Sequence, residues 1–150
     1  MSYTCLLYHI VFRPKYRTEA ITIAHEACLY RYIGGFVRNK KGVLYRIGGM
    51  PDHIHLLVQL PPTMSLADFM RDLKTAAHWF LRKKPEKFPL FTGWGKSYCA
   101  LSCSLSGKDR VIDYIKNQKI HHQRINFQDE LRAMLHIHGI AYEEDSLWKD

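Results

Sequence analysis

The chain has 150 residues, with 22 Lys and Arg against 14 Asp and Glu, a formal net charge of +8 and an isoelectric point near 9.4. Its 47% hydrophobic and 13% aromatic content excludes intrinsic disorder, and its length fits one ordinary domain over residues 1–150 rather than two. The positive charge favours a polyanionic partner, nucleic acid before an anionic membrane surface, although a basic composition can also serve solubility alone.

The predicted elements follow the order β-α-β-β-α-β, with further helices at the C-terminal end. The strands are rich in β-formers or alternate in polarity, and they are predicted at 4–13, 43–49, 53–60 and 97–104. The helices carry apolar residues at i, i+3 and i+4 spacing, and they are predicted at 19–40, 66–84, 110–122 and 127–138. Ser65 and Asp68 form a capping-box pattern before the second helix, and Gly139 ends the last one.

This order is typical of a ferredoxin-like α+β fold. The pattern predicts an antiparallel four-stranded sheet with two helices on one face. The sequence leaves the other face of the sheet free and places a tyrosine-bearing helix after the fourth strand. The topology serves many chemistries, so function has to come from the site residues.

Targeting and cysteine patterns favour a cytoplasmic protein. No segment approaches the roughly 20 apolar residues of a membrane span. The apolar start at 5–12 has no basic segment before it and includes Tyr8 and His9, unlike a signal peptide. The cysteines show no C-x-x-C or zinc-finger spacing, so we expect reduced, mostly buried thiols, with a disulfide or zinc site as the alternative.

Several common catalytic motifs are absent from the sequence. It contains no phosphate-binding G-x-x-x-x-G-K-[ST] loop, no G-x-G-x-x-G loop and no G-x-S-x-G nucleophile elbow. These absences argue against nucleotide-dependent and serine-hydrolase chemistry.

The segment His53-Ile54-His55 places two imidazoles on one face of the third strand, about 7 Å apart. Both can turn toward one metal ion, at about 2.1 Å from each nitrogen. Two ordinary surface histidines are the alternative. An RNA-recognition module would carry stacking aromatic residues on this face instead.

Tyr114 and Gln118 lie one helical turn apart on the same side of the third helix, away from its apolar residues. A phenol has a pKa of about 10, so a tyrosine nucleophile needs a Lewis acid to polarise the phosphodiester that it attacks. The Gln118 amide oxygen is a suitable ligand for that ion. A tyrosine packed at a helix edge is the alternative for Tyr114, and Asn117 could also face the site.

These motifs, taken in order, resemble the single-tyrosine HUH transposases of small single-strand insertion sequences and their REP-associated relatives. The similarity covers essentially the whole chain. It is carried by Phe12–Arg17 after the first strand, Met50–Val58 around the histidine pair, Leu73-Lys74, and the Tyr114-to-Gln118 spacing, with further likeness at 118–122 and 139–148.

The resemblance implies that Tyr114 attacks single-stranded DNA, leaving a 5′-phosphotyrosine and a free 3′-hydroxyl. It implies that His53, His55 and Gln118 hold a divalent ion, Mg²⁺ or Mn²⁺. Zinc is disfavoured because the cysteines offer no matching ligand set. The family recognises DNA hairpins and works as a homodimer whose tyrosine helix completes the partner's site, with Gly107 as the expected hinge.

Basic residues near these motifs are predicted DNA contacts, and the acidic C-terminal tail is expected to lie apart from them. The predicted contacts are Arg13, Lys15, Tyr16, Arg17, Lys74, Arg110 and Lys116.

Two alternatives concern the biological role. One is a domesticated REP-type enzyme that nicks palindromic hairpins, and the other is a hairpin-binding module without catalysis. The REP branch tends to carry Asn-Pro shortly after the tyrosine, so Gln118 favours the insertion-sequence branch.

Overall fold

A computed structural model describes residues 2–150 and confirms the predicted β-α-β-β-α-β order. The strands are β1 (Leu7–Phe12), β2 (Val43–Met50), β3 (His53–Gln59) and β4 (Cys99–Cys103). The helices are α1 (Glu26–Asn39), α2 (Leu66–Arg82), α3 (Lys108–Lys116), α4 (Gln118–His121), α5 (Phe127–Ile137) and α6 (Glu144–Leu147).

The four strands form one antiparallel sheet in the order β2-β3-β1-β4. β3 and β1 are therefore the central strands, and His55 lies between Gly48 of β2 and Val11 of β1. A short turn at Pro51 and Asp52 joins β2 to β3 and places His53 at the start of its strand. The histidine pair thus lies on a central strand of the sheet.

One face of the sheet packs against α1 and α2, as the sequence predicts. Ile54 and Leu56 of β3 are fully buried against apolar residues of both helices, including Ile33 and Leu73. The side chain of Ser65 accepts a hydrogen bond from the Asp68 backbone N–H, which confirms the predicted cap of α2.

The opposite face of the sheet is covered, and the prediction of a free face is wrong. Apolar residues of β1 and β4 pack there against α5 in a second core, which contains Val11, Leu101, Leu131 and Leu135 among others. The helix stripe at 127, 131, 134 and 135 predicts an amphipathic helix, but periodicity does not say which surface that helix covers. The covering places the histidine pair in the interior instead of on a surface.

Three predicted boundaries also differ from the structure. β1 begins at Leu7 rather than residue 4, and α1 begins at Glu26 rather than Glu19, because the β-branched run Ile21-Thr22-Ile23 disfavours a helix. The predicted continuous helix 110–122 is divided at Asn117 into α3 and α4, and Asn117 itself is exposed. The predicted end of the last helix is confirmed, since Gly139 has a φ of 67°.

Among residues 2–150, no helix is both long and apolar enough to cross a membrane. The cysteines described by the structure are all free, but only Cys99 is buried, so the expectation of mostly buried thiols is wrong. Burial raises the pKa of the Cys99 thiol to about 11.

Gly48 allows α3 to lie directly against β2. A Cβ atom at this position would lie 2.8 Å from the backbone oxygen of Ile115 and 3.0 Å from its Cγ2. Ile115 follows Tyr114, so the approach at Gly48 fixes the distance between the tyrosine helix and the sheet. By contrast, a Cβ atom at Gly35 in α1 would have no neighbour within 4 Å.

We expect Gly48→Ala to lower the free energy of unfolding by about 1–3 kcal/mol, because the added methyl group meets a backbone atom that cannot rotate away. Gly35→Ala is the matched control, and it should raise that free energy by about 0.5–1 kcal/mol through its helix propensity. Urea unfolding of the two variants and the parent measures both effects. Equal shifts in the two variants would contradict the close-approach explanation.

Candidate active site

His53 and His55 lie side by side in β3, and both side chains are completely buried. Their ring centroids are 5.1 Å apart. Phe127 of α5 stacks on the His53 ring at 4.0 Å with an interplanar angle of 7°. The predicted pair therefore exists as a buried cluster, and the covering helix fixes the orientation of one imidazole.

The structure brings Gln118 and Tyr114 to this pair within the same chain. The Gln118 side-chain oxygen Oε1 lies 3.0 Å from His53 Nε2, and Gln118 is 1% exposed. The Tyr114 ring lies 5.7 Å from the His55 ring, centroid to centroid. Although the predicted helix is interrupted at Asn117, Gln118 begins α4 directly after the interruption, and Tyr114 and Gln118 both remain beside the histidine pair.

Glu130 of α5 lies at the centre of this cluster and is not among the site residues predicted from the sequence. Its Oε1 atom is 3.3 Å from the Nε2 atoms of both His53 and His55. Its Oε2 atom accepts hydrogen bonds from the Tyr114 hydroxyl and, at 2.8 Å, from the Gln118 amide. Glu130 is 1% exposed, so one carboxylate joins all four predicted site residues in the interior.

A sequence signal for Glu130 does exist. Phe127, Leu131 and Met134 form the buried stripe of α5, and a residue three positions after Phe127 lies on the same face of the helix. A carboxylate on an apolar helix face is rarely buried without a partner. The pattern therefore points to a site, but not to the strand that the carboxylate faces.

Further polar contacts hold the imidazoles from behind. His53 Nδ1 lies 2.8 Å from the Asp52 carboxylate, and His55 Nδ1 lies 2.8 Å from Nε2 of His9, a buried residue of β1.

A third imidazole, that of His122, also reaches the cluster. Its Nδ1 lies 2.8 Å from the Ile125 carbonyl oxygen, and its Nε2 lies 3.0 Å from Gln118 Oε1 and 3.1 Å from Glu130 Oε1. Such outer contacts fix ring orientation and tautomer in metal sites.

The pKa values follow from burial and from the shared carboxylate. Burial of Glu130 acts to raise its pKa, but hydrogen bonds with His122, His53 and His55 outweigh it and hold the pKa well below its usual value. Burial and the Glu130 charge raise the pKa of Tyr114 far above its ordinary value. Burial lowers the pKa of His55 to about 4. At neutral pH the phenol therefore keeps its proton and donates it to a charged carboxylate.

The donor atoms present fit a divalent ion. Ligand atoms of His53, His55 and Glu130 all lie within 4.8 Å of one another, and these residues are buried. Imidazole nitrogen with carboxylate and amide oxygen is a donor set that first-row divalent ions accept.

A cavity of about 520 Å³ opens beside Tyr114. Arg110 and His121 line it together with His9 and Glu130, and its other walls are mainly apolar side chains such as Val111 and Met134. Its combination of an apolar wall and convergent polar groups is typical of a ligand site.

The predicted DNA-contact residues fall into different environments. Arg110 is exposed at the rim of the Tyr114 cavity, whereas the exposed Lys116 lines a separate depression beside β2. Tyr16 and Arg17 are exposed, with positive φ angles of 60° and 54°. Lys74 is half-buried and donates to the backbone oxygens of Gly95 at 2.6 Å and Lys96 at 3.2 Å.

Arg13 is the exception, since only 3% of it is exposed. Its guanidinium pairs with Asp150 at 2.7 Å and lies over the Trp148 ring at 5.5 Å. Trp148 also lies 5.2 Å from the Arg17 guanidinium. The expectation that the acidic tail lies apart from the basic residues is therefore wrong, because the chain end carries an aromatic ring and a carboxylate that bind two of them.

Comparison with known proteins agrees with this geometry. The family model described as transposase, IS200-like, matches residues 2–118 of the chain. The chain is 30% identical over 118 residues to the ISDra2 transposase TnpA of Deinococcus radiodurans, covering 75% of this chain and 84% of that protein.

This chain belongs to the IS200-like transposase family.

Another curated transposase and two solved structures are also similar to this chain. The transposase for insertion sequence element IS200 of Salmonella typhimurium is 31% identical over 121 residues, which is 74% of this chain and 75% of that protein. A crystal structure of a transposase from Deinococcus radiodurans R1 is similar, with a TM-score of 0.62, 28% identity, and coverage of 78% of this chain and 93% of that one. A REP-associated tyrosine transposase bound to a REP hairpin shares the fold, with a TM-score of 0.62, 14% identity, and coverage of 83% and 73%.

The family match confirms the resemblance over residues 2–118, and the further likeness predicted at 139–148 lies outside the matched segment. It spans His53, His55, Tyr114 and Gln118, and it ends before His122 and Glu130. As a member of a transposase family, the protein belongs with enzymes that cleave DNA and transfer strands.

We expect Arg13→Met to lower the free energy of unfolding by about 1–3 kcal/mol, because it removes the guanidinium that donates to the Lys149 carbonyl and to the Asp150 carboxylate, which keeps a hydrogen bond from the Tyr16 backbone N–H. Lys15→Met is the control and should change that free energy by about 0.5 kcal/mol or less, since the Lys15 contact to Gly93 is made by its backbone N–H. Urea unfolding measures both. An unchanged stability in Arg13→Met would show that the tail contact contributes nothing to folding.

Proposed function

We propose that this protein is a metal-dependent DNA transposase that cleaves and rejoins single-stranded DNA at hairpin-marked ends through a 5′-phosphotyrosine intermediate. The observation that carries the proposal is the position of the Tyr114 hydroxyl, which bonds to the same buried carboxylate that faces His53 and His55. The family membership supplies the reaction class, and this contact supplies the nucleophile.

In the proposed reaction the Tyr114 oxygen attacks a backbone phosphorus atom and the bond to the 3′ oxygen breaks. The 5′ side stays on the enzyme as a phosphotyrosine, the phenolic proton leaves to a neighbouring base, and the departing 3′ oxygen takes up a proton. The phosphodiester energy is kept in the new bond, so a later DNA hydroxyl can reverse the attack without a nucleotide cofactor. The lack of a phosphate-binding loop in the sequence is consistent with a reaction that needs no nucleotide cofactor.

The surrounding side chains would orient the reactants. Glu130 holds the Tyr114 hydroxyl, and the rigid sheet holds the imidazoles behind it. Arg110 at the cavity rim is placed to pair with a backbone phosphate, and the apolar wall can accept a base. The cavity has the volume that a nucleotide-sized group needs.

We assign His53, His55 and Gln118 as ligands of the divalent ion, with Mg²⁺ or Mn²⁺ as the working ion. When bound, the ion supplies Lewis-acid polarisation of the scissile phosphodiester. The sequence disfavours zinc because the cysteines offer no matching ligand set. Zinc also accepts nitrogen and oxygen ligands, however, so the donor atoms of this site do not by themselves distinguish zinc from manganese.

We propose that hairpin DNA is the substrate and that Lys15, Tyr16, Arg17 and Lys74 contribute to its binding. The structural neighbour bound to a REP hairpin supports a hairpin partner for this fold. The exposed tyrosine between two basic residues at 15–17 can stack on a base while the cations contact phosphate. Arg13 could join them only if the chain end moved away from it.

Incubation with labelled single-stranded hairpins from the DNA flanking its own gene tests the mechanism. With Mn²⁺ present, the parent protein should form an adduct that survives denaturing electrophoresis, and Tyr114→Phe should form none because it lacks the attacking oxygen. Tyr3→Phe is the matched control, since Tyr3 is 89% exposed, and it should form the adduct normally. An adduct in Tyr114→Phe, or none on any flanking hairpin with the parent, would refute the assignment.

We also propose a homodimer whose sites share the tyrosine helix. In the structure Tyr114 lies against the histidines of its own chain, so exchange would require α3 to move at Gly107 and Asn117, where the helix begins and ends. Light scattering should give twice the 17.6 kDa chain mass. Mixing Tyr114→Phe with His55→Ala should restore adduct formation, because one subunit then supplies the tyrosine and the other the histidines. A strict monomer, or no recovery in mixed dimers, would overturn the shared site.

A further inference from the structure

Glu130 lies outside the segment that the family model matches, yet its side chain occupies the centre of the histidine cluster. We propose that Glu130 is itself a ligand of the divalent ion, binding it through Oε1 while Oε2 holds the Tyr114 hydroxyl. The proposal rests on the metal dependence proposed above and adds to it a ligand from α5, which would connect the ion and the nucleophile through one carboxylate.

The spacing of the donor atoms supports this assignment. Glu130 Oε1 is 3.3 Å from His53 Nε2 and 3.3 Å from His55 Nε2, and Gln118 Oε1 is 3.0 Å from His53 Nε2. Atoms that bind one ion at about 2.1 Å lie about 3.0 Å apart in an octahedral shell and about 3.4 Å apart in a tetrahedral one. The observed separations fall between these limits.

The hydrogen-bond partners of the rings are compatible with the same ion. A neutral imidazole donates from only one of its nitrogens. His53 faces the Asp52 carboxylate on Nδ1 and the oxygens of Gln118 and Glu130 on Nε2. His122 faces the Ile125 carbonyl on Nδ1 and the same two oxygens on Nε2. Without an ion, a protonated His53 can donate from both nitrogens, and although burial acts to lower its pKa, hydrogen bonds with Asp52 and Glu130 raise that pKa to about 9. An ion bound among these oxygen and Nε2 atoms would take the place of that proton and leave both rings as neutral donors through Nδ1.

The two carboxylate oxygens of Glu130 have different partners, which favours a role as a metal ligand over a role that only balances the charge of the histidines. Oε2 is already used by Tyr114 and by the Gln118 amide, and it lies 3.4 Å from His121 Nε2, whereas Oε1 faces the Nε2 atoms of His53 and His55. Two imidazoles with a carboxylate form a shell that suits Mn²⁺, whereas Mg²⁺ prefers oxygen ligands alone. With Glu130 included, we expect the protein to bind Mn²⁺ more tightly than Mg²⁺.

Calorimetric titration of the full chain with Mn²⁺ tests the assignment without DNA. Glu130→Gln keeps the shape of the side chain and removes its charge, and it should weaken Mn²⁺ binding at least about tenfold. Glu86→Gln is the matched control, because Glu86 is exposed on the loop after α2, and it should bind Mn²⁺ like the parent. His55→Ala is the reference for loss of an assigned ligand.

The outcomes separate this inference from the proposed function. If His55→Ala loses Mn²⁺ and folded Glu130→Gln binds it within threefold of the parent, Glu130 is not a ligand and only this inference fails. If both variants bind Mn²⁺ normally, no ion is held here and the proposed metal dependence fails as well.

A second measurement does not depend on the variant folding. Parent protein carrying ¹³C-carboxylate glutamate and bound Mn²⁺ should show a ¹³C hyperfine coupling by electron–nuclear double resonance, since Glu130 is the glutamate that the structure places in the histidine cluster. Absence of that coupling with Mn²⁺ bound would overturn the proposal.

Discussion

The buried carboxylate of Glu130 is the contact on which the arrangement of the site depends. It faces β3 through His53 and His55, α3 through Tyr114 and α4 through Gln118, while its own helix covers the sheet. A charge removed from water is costly unless it is paired and hydrogen-bonded, and hydrogen bonds with His122, His53 and His55 hold the pKa of Glu130 below its usual value despite its burial. The packing of α3, α4 and α5 against the sheet therefore depends on the contacts that compensate the buried charge of Glu130.

The elements that carry the recognised motifs could be predicted from the sequence. His53 and His55 alternate with buried Ile54 and Leu56, and Tyr114 and Gln118 are one helical turn apart, so local periodicity alone places each pair on one face. The meeting of the two pairs depends on where α3 docks. That docking depends on the lack of a side chain at Gly48, a contact between residues 67 positions apart that no local pattern specifies.

The parts that the sequence did not predict are those that involve the far end of the chain. Glu130 lies on the apolar face of α5, but the sequence does not show which strand that face covers, and Trp148 lies in a short acidic tail that carries no recognisable site pattern. Arg13 has the composition of a DNA contact, but its guanidinium is held by Asp150, 137 positions away. The net charge of +8 includes Arg13 as if it were free to bind a polyanion, whereas in the fold Arg13 binds the C-terminal end of the chain. Composition therefore overstates the basic surface that remains for a partner.

The same chain end also bears on the site. Trp148 packs edge-on against Phe127, with ring centroids 5.8 Å apart, and Phe127 in turn stacks on His53. Phe127 begins α5, so the aromatic contact with the tail adds to the apolar core that holds the helix carrying Glu130, and it touches the ring that stacks on a histidine. Arg13 supports Trp148 from the end of β1, the strand that also carries His9 behind His55. The orientation of the histidine pair thus depends on β1, α5 and the C-terminal residues together, although only β3 carries the motif.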